Sequence, residues 1–185
     1  GAPAAARTIA LHRTAYVSAL SGLRAARELA LATAERMPVG PGQTTAPPWL
    51  YWLDELRLTV LTGRCYAALG RPRPARALLA EALASGGLRP RERAICGAWL
   101  GLAAVGSGDL DAARAAAGPA LLAAVRAGSA RAVTRVLALD AALRPRLTGP
   151  DARRYAEFAD QAIGYLPPGA GGSAPPGSLA GTATG

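Results

Sequence analysis

His12 is the only histidine in the chain, so acid–base chemistry at neutral pH would have to be built around it. A Ser-His-Asp or Cys-His system thus has one possible centre, and no serine or cysteine stands in a recognisable nucleophile elbow. The chain has no lysine, which removes Schiff-base chemistry and the phosphate-binding lysine of a Walker-type loop. Gly40, Pro41 and Gly42 resemble a phosphate cradle, but no strand precedes them and no lysine follows. Asp109 and Asp111 form a D-x-D pair, yet one stands where a helix needs its N-cap and the other in the first turn, so capping accounts for both. Cys65 and Cys96 are too few and too far apart for a disulfide framework or a zinc site, and each lies in an apolar helical context as a small hydrophobe. No catalytic, cofactor-binding or metal-ligating residue is expected. The chemistry that remains is recognition through arginine and tryptophan.

Composition points to what must position those residues. Hydrophobic residues make up 51% of the chain but aromatic ones only 5%, and much of the apolar total is alanine, a composition that suits helix packed on helix rather than sheet. The fold class is therefore all-α. Every basic residue is arginine, asparagine is absent, isoleucine occurs only at Ile9, Ile95 and Ile163, and Phe158 is the sole phenylalanine. The depleted residues share AT-rich codons, which points to a high-GC bacterial genome. The net charge of +9 admits a nucleic acid, an anionic membrane or an acidic partner, but the arginines are scattered from Arg7 to Arg154 with acids often beside them, as a solvated helical surface has them. The longest uncharged run outside the Pro/Gly-rich loop and tail, 94–108, falls short of the roughly 20 residues that span a bilayer. Arg7 and Arg13 interrupt any signal-peptide core, and a reducing cytoplasm is the expected setting.

Glycine, proline and capping residues divide the chain into about eight helices, expected over 4–20, 23–37, 49–69, 72–83, 89–105, 110–127, 130–147 and 151–166. Residues 38–48 read as a loop, Gly70 as a left-handed C-cap and Asp109 as an N-cap. Trp49 and Trp52 should staple the third helix onto the pair before it. Pro119 should bend or split the sixth helix by colliding with the carbonyl of Ala115. The organisation is one helical domain over 1–166 and a disordered Gly/Pro/Ala-rich tail over 167–185.

Self-similarity is the strongest signal. Gly63, Tyr66, Gly70, Ala75, Leu79 and Ala82 are spaced 3, 4, 5, 4 and 3 apart, and Gly101, Ala104, Gly108, Ala113, Ala117 and Ala120 repeat those intervals 38 residues on. Small residues at Gly63 and Ala75 should let the helices of a hairpin touch, with Tyr66 and Leu79 plugging the gap. The pattern resembles the tetratricopeptide repeat, most clearly in the turns 68–75 and 106–113. The stretch 47–147, through its segments 48–56, 61–65, 69–72, 91–94 and 128–131, looks like repeat regions that follow helix-turn-helix domains in transcriptional regulators of high-GC bacteria.

That resemblance implies an antiparallel helix-hairpin solenoid whose first helices line a concave groove. In the repeat register the groove would carry Leu11 and His12, then Arg57, Val60, Leu61 and Arg64, then Ile95, Trp99 and Leu102. Such a floor would hold a protein or peptide, acidic in character, since arginine bonds carboxylates bidentately and tryptophan supplies stiff contact area. A possible basic contact face comprises Arg131, Arg135, Arg144, Arg146, Arg153 and Arg154. The implied function is a non-catalytic binding module, the sensory or interaction region of a regulator that touches DNA only through a separate helix-turn-helix domain. A free-standing interaction scaffold is the alternative and a basic nucleic-acid-binding helical protein the third reading. No membrane partner is expected.

Overall fold

Alanine, leucine and arginine are strong helix formers, so the chain leaves helix only where glycine, proline or a capping side chain intervenes. A computed structural model describes residues 4–21, 23–35, 48 and 52–167. Among these the structure is all-helical, without a strand: α1 (Ala4–Leu20), α2 (Arg24–Glu35), α3 (Glu55–Ala68), α4 (Pro72–Ala84), α5 (Pro90–Gly106), α6 (Leu110–Ala127), α7 (Ala130–Leu143) and α8 (Gly149–Gly164). The expected fold class and number of helices both hold. Trp49, the expected loop apart from Pro48, and the tail beyond Pro167 lie outside the described residues. No helix among those described is long and apolar enough to cross a membrane.

The helix ends follow from local chemistry. Gly70, Gly108 and Gly128 adopt positive φ values of 68°, 78° and 56°, a region glycine enters without strain, and turn the chain after α3, α5 and α6. The Asp109 carboxylate accepts the Ala112 N–H at 3.0 Å and opens α6 as expected.

Two helix boundaries differ from the sequence expectation by more than two residues, and one expected break is absent. α3 begins at Glu55, not Trp49, because the Asp54 carboxylate accepts the Arg57 N–H at 2.8 Å and acts as N-cap. Trp52 and Leu53 precede the helix and pack with Ala6 against Ile9 of α1. α7 stops at Leu143, where Pro145 has no N–H to continue the ladder and residues Arg144–Arg146 tighten into one 3-10 turn. α6, by contrast, is not split by Pro119. Ala115, whose carbonyl loses its helical donor, and Pro119 are both exposed, so solvent can take that bond.

The first six helices form three hairpins, α1 with α2, α3 with α4 and α5 with α6, and α1, α3, α5 and α7 touch in succession. α8 packs chiefly on α6, so the last pair is not a tight hairpin of the same kind. Ala75, Leu79 and Ala82 of α4 and Ala113, Ala117 and Ala120 of α6 are fully buried, as the repeat spacing requires.

The glycines show where backbones come closest. A Cβ on Gly63 would lie 2.8 Å from Leu79 of α4, so Gly63 closes its own hairpin. Gly101 was expected to do the same in the next hairpin, but its missing Cβ faces Leu139 of α7, 2.6 Å away. Gly97 takes the hairpin role instead, against Ala120 at 3.1 Å, and stands 34 residues after Gly63. The turn glycines Gly70 and Gly108 keep the 38-residue offset because α5, at 17 residues, is longer than α3, at 14. The Gly101→Ala variant should therefore lose about 1–3 kcal/mol by overpacking against the buried Leu139. Gly106→Ala, with nothing within 4 Å of its Cβ, should be neutral or slightly stabilising. Urea unfolding of the two variants checks this, and equal stability would refute the close approach of α5 and α7.

Candidate functional site

Four neighbouring helices lying flat at the usual 8–10 Å spacing would put the first and last axes roughly 24–30 Å apart. Arg135 of α7 nevertheless hydrogen-bonds Tyr16 of α1, its Nη2 donating to the phenolic oxygen at 3.2 Å. The row α1, α3, α5, α7 must therefore curl, and the face carrying these two side chains is the inside of the curve. Each of the four helices contributes one large side chain to this hollow: Tyr16, Arg64, Trp99 and Arg135.

Their geometry is specific. The Tyr16 and Trp99 rings meet edge to face, with centroids 5.9 Å apart and an interplanar angle of 85°. The Arg135 guanidinium carbon lies 4.4 Å from the Trp99 ring centroid, and that of Arg64 lies 5.4 Å from the Tyr16 centroid. Trp99 is only 5% exposed, whereas Tyr16, Arg64 and Arg135 are half-buried. Cation–π contact of this kind contributes about 0.5–2 kcal/mol per pair, well short of what an opposite charge supplies in a desolvated place. Yet among the described residues no carboxylate forms an ion pair with Arg64 or Arg135. Arg64 Nε and Trp99 Nε1 are buried without a hydrogen-bond partner. Burial, above all, holds the Arg64 guanidinium below its usual range; Tyr16 opposes this and the charge of Arg135 adds to it. Two guanidinium groups, like in charge, thus share the hollow.

Of the residues expected to line the groove, Arg64 and Trp99 are in this cluster. Ile95 and Leu102, one turn to either side of Trp99 on α5, are half-buried where the two larger core clusters meet, and Leu61 is half-buried on α3. The other four have different employment. Leu11 packs with Ala15 and Leu31 and lines a shallow depression of about 470 Å³ with Arg7, Ala10, Thr14 and Thr33, on another stripe of α1. His12 is 3% exposed in the seam between α1 and α3, with Nδ1 2.9 Å from the Thr8 carbonyl and Nε2 2.9 Å from the Thr62 hydroxyl. Val60 is core. Arg57 is a clamp: its Nη2 bonds Glu92 at 2.9 Å and the Gly87 carbonyl at 3.1 Å, and its Nη1 bonds Asp54 at 2.7 Å.

The six arginines of the expected basic face are not one surface. Arg135 lies in the hollow. Arg144 joins Asp140 of α7 to Asp160 of α8, at 3.2 and 2.8 Å. Arg146 donates to the Val105 carbonyl at 3.0 Å and so closes the C-terminal end of α5. Arg131, Arg153 and Arg154 are exposed with neither an ion pair nor a hydrogen bond described. Both cysteines are buried, and burial pushes the Cys96 thiol up to about 12.

Tyr16 is the candidate that sequence reasoning missed, and Arg135, expected on the basic contact face, lies in the hollow instead. A signal for one existed: Arg64, Trp99 and Arg135 stand 35 and 36 residues apart, near the Gly63–Gly97 offset rather than the 38-residue one. No model of a protein family matches the chain, no curated protein matches it, and no solved structure matches it.

The Arg57 clamp has a pH signature. Burial raises the Glu92 carboxyl, but hydrogen bonds from the Arg57 side chain and the Arg89 N–H, with both arginine charges, outweigh that and leave it below the usual range. A carboxylate depressed by folding stabilises the fold above its unfolded value and loses that contribution as pH falls through the folded one. Wild type should therefore lose more stability than Glu92→Gln as pH drops below about 4, the ordinary glutamate range. Parallel acid-unfolding curves for the two would count against the clamp.

Proposed function

We propose that this chain is a non-catalytic binding module built of tetratricopeptide-like hairpins, serving as the sensory or interaction region of a bacterial transcriptional regulator. The observation that carries the reading is the hollow between α1 and α7, where the half-buried Arg64 and Arg135 lie on aromatic rings without a carboxylate partner among the described residues. A buried cation is normally paired, and one left unpaired in a cleft marks a place where something else is meant to sit.

Three features support the repeat reading. First helices of successive hairpins touch in a row, small residues close the α3–α4 and α5–α6 hairpins, and Gly63 and Gly97 stand at a 34-residue offset, the usual tetratricopeptide period. The dispersal of the expected basic face weighs against direct nucleic-acid binding, since half of its six arginines hold the fold or fill the hollow.

The test lies in the parent gene and its product. A helix-turn-helix segment is expected upstream of Gly1. In a reporter assay with that parent protein, Arg135→Ala should alter the response of the regulated promoter while leaving DNA affinity unchanged. Absence of such a segment refutes the regulator assignment, and an unaltered response refutes the role of the hollow.

A further inference from the structure

The hollow can be assigned a ligand chemistry. A guanidinium set over a ring leaves N–H donors at its rim that the ring does not use; Arg135 spends one Nη2 donor on Tyr16 and the Nε of Arg64 is buried, so the remaining donors are the ones open to a carboxylate. Arg64 and Arg135 both have this placement, on Tyr16 and Trp99 respectively, and they come from helices at different points of the same curved row. Their mutual repulsion in a partly desolvated place is relieved by one negative group set between them. The flanks of that position on α5, Ile95 and Leu102, are apolar and half-buried, so the complement is an acid with apolar neighbours. The +9 charge of the chain favours such an encounter from a distance.

We propose that Arg64 and Arg135, laid on Tyr16 and Trp99 across the hollow, grip a carboxylate side chain within an acidic segment of a partner protein. The proposal rests on the reading of the hollow as the binding face. An extended segment fits better than a free metabolite because the groups are spread over four helices and are themselves half-buried rather than hidden at the bottom of an enclosed cavity.

Arg64 makes a second, independent demand. Replacing an uncompensated half-buried charge by an apolar side chain of similar length removes a desolvation cost while keeping the packing of the stem. Arg64→Met should therefore melt no lower than wild type while losing the ligand, the signature of a residue kept for binding.

The experiment uses the full chain, a labelled oligo-glutamate peptide and its oligo-glutamine counterpart, followed by anisotropy at low salt. Wild type should bind the glutamate peptide about tenfold or more tighter than the glutamine one, and Arg64→Met and Arg135→Met should each cost about tenfold. The double variant Arg131→Met with Arg153→Met removes two exposed charges outside the hollow and should change binding by no more than about threefold. An equal loss in that control overturns the proposal in favour of diffuse attraction to a basic protein. Inorganic phosphate competing as well as the glutamate peptide overturns it in favour of a simple ion site. Arg64→Met that melts lower and still binds shows Arg64 to be structural and overturns it as well. If both peptides bind equally and both are lost in the hollow variants, the carboxylate assignment falls but the hollow remains the binding face. If wild type binds neither peptide, the acidic segment is ruled out, and the reporter response to Arg135→Ala separately decides whether the hollow binds at all.

Discussion

Close backbone approach around α5 is the constraint on which the rest of the structure depends. α5 touches α3, α4, α6 and α7, and it can do so because Gly97 and Gly101 leave no Cβ where Ala120 and Leu139 must lie. Gly97 draws α6 in on one side and Gly101 draws α7 in on another. With α7 held that near, the row of first helices curls enough for Arg135 to reach Tyr16, 119 residues earlier in the chain. The hollow is thus a consequence of two absent methyl groups in the central helix, and its four side chains meet only because the backbones behind them do.

Three other partly buried arginines have close carboxylate partners, whereas the half-buried Arg93 forms no ion pair among the described residues. Arg57 has Asp54 and Glu92, Arg144 has Asp140 and Asp160, and Arg76 has Asp109 at 2.7 Å. The pairs Arg57–Glu92, Arg144–Asp160 and Arg76–Asp109 each join two elements and keep partly desolvated charge compensated. Arg64 and Arg135 stand apart from that habit, receiving aromatic faces instead of carboxylates. Twelve acidic residues against twenty-one basic ones leave some arginines unmatched, and most of these, Arg131, Arg153 and Arg154 among them, are exposed and solvated. A shortage of acids alone does not put a guanidinium into a hollow beside a second one. The placement therefore carries more information about binding than the net charge does.

Much of the fold was legible in the sequence because it is locally encoded. A glycine that must take positive φ, an aspartate one residue before a helix and a proline at its first turn announce themselves within a few residues, as Gly70, Gly108, Asp109 and Pro72 did. The start of α3 was misplaced because Asp54 is plausible both as a cap and as a first-turn acid, and only its bond to the Arg57 N–H decides. The site was legible only in part. Arg64 and Trp99 lie on the expected face, but whether an arginine is free depends on partners far along the chain. Arg57 meets Glu92 across 35 residues, which no spacing rule around Arg57 could reveal. His12 looked available and is instead sealed against Thr62, 50 residues away. Arg135 was read as one of a basic cluster because Arg131 shares its helical stripe, while its neighbours in space, Trp99 and Tyr16, come from two other helices.

The same geometry ties binding to shape. Arg64 and Arg135 belong to α3 and α7, two helices that both pack on α5, and the bond between Arg135 and Tyr16 reaches on to α1. An opening of the row between α1 and α7 would separate the two guanidiniums and break that bond. A ligand can shift a conformational equilibrium only by as much as it prefers one state. A group held by both guanidiniums would make its full set of bonds in the curled row and only half of them in an opened one, so preference for the curled state is inherent in where the arginines stand. A module that gripped its ligand across its own curvature would couple occupancy to the relative placement of its ends. That coupling is what an interaction region must have if binding in the hollow is to be felt by whatever the ends are joined to.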